Sequence, residues 1–121
     1  MKLVFASSAL PNLIRSAGSR AFNYLKGNYI LSLTLYEIGN ALWRETTLLK
    51  RTSISEALSL PKSINNICKI MNTINPHNNL LVLKLAHELR ITYYDSSYII
   101  VSYELNAGLV TDDENLERKY C

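Results

Sequence analysis

Three acidic residues lie next to apolar or strand-like runs at distant points of the chain. Glu37 lies between Tyr36 and Ile38, and Asp95 and Asp113 each follow a short strand-like run. Carboxylates that folding brings together repel one another, and a divalent cation removes that cost by accepting their oxygens. Mg²⁺ or Mn²⁺ in such a site lowers the pKa of a bound water and orients a phosphodiester. The three residues therefore indicate a candidate metal site.

Each of the three also has a simpler explanation. Asp95 and either Asp112 or Asp113 lie at predicted helix starts, where Asp is a favoured capping residue. Glu37, between Tyr36 and Ile38, is harder to explain in this way, although a solvated position on a helix stays open. The three positions taken together argue more strongly for a site than any one of them.

Composition indicates one compact domain over residues 1–121. Apolar residues make up 48% of the chain and charged residues 19%, which is ordinary for a globular protein. The net charge of +3 permits an anionic partner without requiring one. Clustered basic residues would be the stronger sign of nucleic-acid binding.

Cysteine usage and hydropathy favour the cytoplasm. Cys68 and Cys121 lack metal-ligand spacing, and no apolar run approaches the roughly 20 residues that a membrane-spanning helix needs. Lys2 followed by the apolar stretch 3–10 is faintly signal-like, but the same stretch also fits a buried first strand.

Short apolar runs alternate with longer helical patterns, which predicts an α/β fold with a central parallel sheet. The predicted strands are 3–5, 29–33, 91–94 and 109–111. Six helices are predicted, over 10–25, 34–49, 54–74, 80–90, from Asp95 to a stop at Gly108, and over 112–117. Pro61 is expected to interrupt the third of them. Ser53 and Glu56 form a capping box at the start of the third.

The carboxyl ends of parallel strands meet in one crevice. Ala6, Asp95 and Asp113 are predicted at such ends, and Glu37 about one turn into the helix that follows the second strand. All four positions are therefore expected to line the same crevice.

Three segments in this order resemble the PIN domains, particularly the small VapC-type toxin ribonucleases. They read Leu-Tyr-Glu-Ile-Gly-Asn-Ala-Leu at 35–42, Tyr-Tyr-Asp-Ser-Ser-Tyr at 93–98 and Leu-Val-Thr-Asp-Asp-Glu-Asn-Leu at 109–116. The resemblance covers nearly the whole chain. It implies a three-layer α/β/α, Rossmann-like fold, in which Glu37, Asp95 and Asp113 bind Mg²⁺ or Mn²⁺.

The opening strand departs from the family pattern, because Ala6 stands where the resemblance implies a fourth metal-binding Asp. Ser8 matches the small hydroxyl residue near the metal, and Thr111 takes a similar supporting role. Alanine cannot bind a cation, so catalysis should be severely weakened. A natural loss and an engineered one both stay open, and the otherwise intact motifs slightly favour engineering. The resemblance also implies a final edge strand after the last helix, and residues 1–121 are expected to be without it.

The resemblance implies a metal-dependent endoribonuclease that forms a homodimer and is inhibited by a VapB-type antitoxin covering the acidic crevice. The helices over 54–74 are the predicted docking surface, through Ile54, Leu58, Ile64, Ile67 and Ile70. A catalytically silent module that binds RNA or protein is the alternative. Five basic residues either line an RNA path or solvate helix faces: Arg15, Arg20, Arg44, Lys50 and Arg51.

Overall fold

The structure, a computed structural model, describes residues 1–112. Its four strands are β1 (Leu3–Phe5), β2 (Tyr29–Ile30), β3 (Asn72–Thr73) and β4 (Gly108–Val110). Its seven α-helices within these residues are α1 (Ala9–Ala17), α2 (Ala21–Leu25), α3 (Ser32–Trp43), α4 (Ile54–Ala57), α5 (Ser59–Cys68), α6 (Asn79–Leu89) and α7 (Tyr93–Leu105). A 3₁₀ turn at Gly18–Arg20 joins α1 to α2, and a π-helical turn at Arg44–Leu48 extends α3.

The four strands form one parallel sheet in the order β3-β2-β1-β4. The chain builds outward from β1 to β3 and then crosses back to place β4 on the other side of β1. In an open parallel sheet this reversal opens a crevice at the carboxyl ends of the two strands that flank it. Here those strands are β1 and β4, so the residues after Phe5 and Val110 face the crevice.

Successive residues of β1 point to opposite faces of the sheet, as the pleat requires. Phe5 packs with Leu10 and Leu25 in one buried cluster, together with residues of α3 and α5. Val4 and Ala6 belong to a second cluster on the other face, which includes Tyr98 and other residues of α7. Helices therefore cover both faces of the sheet, which confirms the predicted three-layer α/β/α architecture.

Several sequence predictions are confirmed. The first strand lies at Leu3–Phe5, and the helical pattern over 10–25 forms α1 and α2, broken at Gly18, whose φ is +56°. The capping box is present, since the Ser53 hydroxyl accepts from the Glu56 amide at 3.1 Å and donates to its carboxylate at 3.1 Å. The helix predicted over 80–90 is α6.

The prediction of a strand over 91–94 is wrong. Residues 93 and 94 already belong to α7, because the Thr92 hydroxyl caps that helix by accepting the Asp95 amide at 3.0 Å. The strand missing from the prediction is β3, where the sequence predicted the end of a helix. Its two residues, Asn72 and Thr73, are exposed polar residues without a strand-like apolar pattern. They pair with β2 at the edge of the sheet.

Other boundaries differ by a few residues. β2 ends at Ile30 rather than residue 33, because the Leu31 amide donates to the Thr34 hydroxyl at 3.1 Å and α3 begins at Ser32. The helix break lies at Leu58, upstream of Pro61. α7 ends at the left-handed Asn106, and the expected helix stop, Gly108, instead begins β4.

The predicted helix over 112–117 is not seen at Asp112, and its other residues lie outside the described part of the chain. In residues 1–112, no helix is both long and apolar enough to cross a membrane. The assignment of residues 1–121 to a single domain stays a prediction.

The packing of α1 on the sheet gives a stability prediction with a matched control. Leu10 and Leu80 are each the second residue of a helix, but Leu10 is 1% exposed and Leu80 is 83% exposed. Leu10→Ala should lower the free energy of unfolding by about 2–5 kcal/mol, since it leaves a cavity in the core. Leu80→Ala should change it by less than about 0.5 kcal/mol. Urea unfolding of both variants measures the difference, and equal losses would show that α1 does not pack as described.

Candidate functional site

Glu37 is held at the crevice by hydrogen bonds from two different parts of the fold. It lies in α3, and its Oε1 accepts from the Ser7 hydroxyl at 3.1 Å and from the Tyr98 hydroxyl at 2.8 Å. Ser7 lies two residues beyond the end of β1, and Tyr98 lies in the middle of α7. The carboxylate is therefore held near the carboxyl end of β1, while its role at a metal stays a prediction.

Tyr98 is a buried partner of Glu37 that the sequence analysis did not single out. Its side chain is 1% exposed, and its hydroxyl also lies 2.8 Å from the hydroxyl of Thr34. Burial raises the pKa of Tyr98 above its ordinary value, and the charge and hydrogen bond of Glu37 act in the same direction, while hydrogen bonds with Thr34 and Ser7 oppose part of this rise. Tyr98 therefore stays protonated and donates to the carboxylate. Tyr98 follows Asp95 by three residues, which places both side chains on one helix face, and this spacing could have identified Tyr98 from the sequence.

Asp95 lies in the first turn of α7, not at the end of a strand as predicted. The capping explanation for Asp95 is also wrong. Thr92 is the capping residue of α7, and its hydroxyl accepts the backbone amide of Asp95. The Asp95 side chain is half-buried and shares the Tyr98 face of α7, one turn earlier. Asp95 therefore lies on the side of α7 that meets Glu37.

Ser8 and Thr111 join the ends of β1 and β4 across the crevice. Their hydroxyl oxygens lie 3.1 Å apart, and Ser8 Oγ accepts the Asp112 amide at 3.0 Å. The Asn12 side chain donates to the Asp112 carboxylate from one turn further along α1. The structure thus places Ser8 and Thr111 together, while their supporting role at a metal stays a prediction.

Ala6 occupies the point where these contacts converge. It is 3% exposed, and its amide donates to the Val110 carbonyl at 2.9 Å, so its backbone belongs to the β1–β4 junction. Its side chain packs in the cluster that contains Tyr98. A longer acidic side chain at this position would extend toward α7, whereas the methyl group offers no oxygen.

The chemical type of the donor atoms suits a hard divalent cation, since Mg²⁺ and Mn²⁺ prefer carboxylate oxygens as ligands. Within residues 1–112, hydrogen bonds to Glu37 reach Oε1 alone, which leaves Oε2 for a ligand. No group of three or more potential metal ligands occurs in this part of the chain. The described carboxylates of the predicted set are Glu37 and Asp95, while Asp113 lies outside the described residues.

A groove of about 860 Å³ leads away from Glu37 between α1, α3 and the segment over 52–63. Its floor includes Ile38 and Leu42 of α3, and the charged side chains along it are Glu37, Glu45, Glu56 and Arg15. Three carboxylates and one guanidinium make this lining acidic. The groove is continuous with the crevice, so a molecule seated in it would also reach Glu37.

The predicted docking residues over 54–74 divide into two groups. Ile54 and Leu58 are exposed, at 63% and 54%. Ile64 is 3% exposed, and Ile67 and Ile70 pack against the core on the Phe5 face. The prediction that all five form a docking surface is therefore wrong for the last three, because they pack against the core on that face of the sheet.

Comparison with known proteins identifies two similar nucleases from Pyrobaculum aerophilum. Exonuclease VapC9 is 37% identical over 90 residues, which span 74% of this chain and 65% of that protein's length. Ribonuclease VapC3 is 27% identical over an alignment of 131 positions that covers 99% of this chain and 95% of that protein. No protein-family model matches the chain. The two relatives support a VapC-type family.

The crystal structure of PAE2754 from Pyrobaculum aerophilum has a similar fold. Its TM-score is 0.82 at 27% sequence identity, and the match covers 98% of this chain and 86% of that one. This likeness confirms the predicted PIN-like α/β fold.

The link between the two strand ends gives a prediction. Ser8→Ala removes the acceptor of the Asp112 amide and the hydroxyl partner of Thr111. The variant should lose about 1 kcal/mol of stability, since a hydrogen bond of this kind contributes that much. Hydrogen exchange at the Asp112 amide should become faster. Ser16→Ala, on an exposed turn of the same helix, is the control and should leave that amide unchanged. Unaltered exchange in Ser8→Ala would mean that Ser8 does not hold β4.

Proposed function

We propose that this chain is a PIN-type VapC toxin of a toxin-antitoxin system, built as a metal-dependent endoribonuclease and disabled at one ligand by Ala6. The observation that carries the proposal is the position of Glu37. Ser7 and Tyr98 hold its carboxylate beside the end of β1, where the strand order reverses and where ligands of parallel sheets bind. The similarity to two VapC nucleases supplies the reaction class.

Glu37, Asp95 and Asp113 would hold Mg²⁺ or Mn²⁺, and the hydroxyls of Ser8 and Thr111 would support the site. A bound ion of this kind supplies a nucleophilic water and neutralises charge on the phosphodiester. The chain's own contribution is to orient the carboxylates: Tyr98 and Ser7 fix Glu37, and α7 carries Asp95 on the same side. RNA would enter along the open crevice at the ends of β1 and β4.

Ala6 explains why this form of the chain should be weakly active or inactive. The position lies at the convergence of β1, β4 and α7, and it is occupied by a methyl group. An acid there would complete the set of four ligands that the family resemblance implies. Without it, the remaining carboxylates bind the cation less tightly, because each missing anionic oxygen weakens the site.

The partner we propose is a VapB-type antitoxin whose tail lies in the acidic groove. Glu45 and Glu56 favour basic side chains, while the floor of the groove and the exposed Ile54 and Leu58 favour apolar ones. A tail with both kinds of residue would cover the groove and reach Glu37. Homodimerisation and a cytoplasmic location are further proposals, and light scattering of the purified chain tests the first.

Restoring the missing acid should restore cleavage. Ala6→Asp should cut RNA in Mn²⁺ at least about 100-fold faster than this chain, since even an outer-sphere partner of a metal contributes about 10–100-fold. A chelator should stop the reaction. Ala6→Asn has nearly the same shape without the charge and should stay as slow as the parent. Circular RNA as substrate tests internal cleavage, because an exonuclease needs an end.

Two results would contradict this proposal. If Ala6→Asp folds, binds RNA and cuts nothing in Mn²⁺, the chain is a binding module rather than a disabled enzyme. If Ala6→Asn is as active as Ala6→Asp, the charge at position 6 is not a metal ligand. Adding Glu37→Gln to Ala6→Asp should abolish the restored activity, since Glu37 is the acid whose position carries the proposal.

The groove proposal predicts a loss of partner affinity. The double variant Ile54→Ala, Leu58→Ala should bind the VapB-type antitoxin at least about 10-fold more weakly, since it removes two apolar contacts of about 1 kcal/mol each. The matched control is Leu80→Ala, Leu83→Ala, which alters two exposed leucines of α6. Calorimetry measures both affinities. Equal affinity in the two double variants would contradict docking over residues 54–58.

A further inference from the structure

A chain of hydrogen bonds runs from the backbone at the start of α3 to the Glu37 carboxylate. The Leu31 amide lies 3.1 Å from Thr34 Oγ1, Thr34 Oγ1 lies 2.8 Å from Tyr98 Oη, and Tyr98 Oη lies 2.8 Å from Glu37 Oε1. Thr34 is 0% exposed and Tyr98 is 1% exposed. Within the described residues, no buried side-chain nitrogen or oxygen is left without a partner. The Thr34 and Tyr98 hydroxyls are therefore buried and hydrogen-bonded.

The chemistry of these groups sets the direction of every hydrogen bond. An ionised carboxylate only accepts, so the single Tyr98 hydrogen must point at Glu37. Tyr98 Oη then has only lone pairs to offer Thr34, which must donate its own hydrogen to Tyr98. Thr34 Oγ1 in turn accepts the Leu31 amide, whose hydrogen cannot rotate away. The fixed amide thereby orients two otherwise rotatable hydroxyls.

Both hydroxyl donors to Glu37 reach the same oxygen. Ser7 and Tyr98 contact Oε1, and neither contacts Oε2. Hydrogen bonds to a charged acceptor are about twice as strong as neutral ones, and two of them restrict rotation of the carboxyl plane. Oε2 is thereby held at the crevice with its lone pairs unused by the described residues.

We propose that Tyr98 and Thr34 are positioning residues that present Glu37 Oε2 to the divalent cation, with Thr34 acting by orienting the Tyr98 proton. This inference rests on the proposed metal site. It adds to that site two residues that would contact neither the metal nor the RNA. Their hydroxyls, rather than their bulk, carry the effect, and this distinguishes them from ordinary core residues.

Two substitution pairs separate a hydroxyl effect from a packing effect. Tyr98→Phe keeps the ring and loses the donor, and its control is Tyr103→Phe on an exposed turn of the same helix. Thr34→Ser keeps the hydroxyl and loses a methyl, whereas Thr34→Val keeps the shape and loses the hydroxyl. If packing alone mattered, the Thr34→Val variant would bind Mn²⁺ more tightly than Thr34→Ser. If the chain of hydrogen bonds matters, Thr34→Ser should bind Mn²⁺ more tightly than Thr34→Val.

The first measurement is the Mn²⁺ dissociation constant by calorimetry, with each substitution added to Ala6→Asp. Tyr98→Phe and Thr34→Val should each weaken binding about 10–100-fold, the range for partners that orient a metal ligand. Tyr103→Phe and Thr34→Ser should stay within about threefold. Unchanged affinity in Tyr98→Phe, or weaker binding in Thr34→Ser than in Thr34→Val, would overturn the inference.

The second measurement needs no metal and uses this chain as it is. Crystal structures of the parent, Tyr98→Phe and Tyr103→Phe should show the Glu37 carboxylate displaced, or in more than one rotamer, only when the Tyr98 hydroxyl is missing. A Glu37 carboxylate that keeps its place in Tyr98→Phe would overturn the positioning role. If Ala6→Asp alone binds no Mn²⁺, the proposed function fails, and the crystal structures still decide whether Tyr98 positions Glu37.

Discussion

The hydrogen bonds to Glu37 Oε1 connect three parts of the fold at one atom. Ser7 comes from the end of β1, Tyr98 from the middle of α7, and Glu37 itself from α3. Moving any of these elements away from the others would leave a half-buried carboxylate with fewer donors, which costs more free energy than the hydrogen bonds contribute. The position of the acidic crevice therefore depends on this contact.

The order of the strands explains why the contact forms where it does. β1 lies between β2 and β4, so the chain leaves its carboxyl end into the space where the connections diverge. Ser8 and Thr111 close the base of that space, and the second core cluster places Tyr98 against it. Position 6 lies where these parts meet. An alanine at this position keeps the packing but supplies no oxygen for a cation.

The sequence predicted the layered fold and the meeting of Glu37 with the end of β1, because both follow from local patterns and from the geometry of parallel sheets. It did not predict β3, whose two exposed polar residues become a strand only by pairing with β2. It placed Asp95 after a strand because Tyr93 and Tyr94 are strand-like, whereas the Thr92 cap made them helical. Tyr98 was missed because its hydroxyl meets Glu37 across 61 residues of sequence.

The most direct test of the account is the crystal structure of the Ala6→Asp variant grown with Mn²⁺, with the anomalous signal of the metal recorded. The account predicts one strong peak at the carboxyl end of β1, in direct contact with both the new carboxylate and Glu37 Oε2. Tyr98 should still donate to Oε1. A peak that contacts neither carboxylate, or no peak in crystals where Glu37 keeps its place, would contradict the claim that position 6 is the missing ligand.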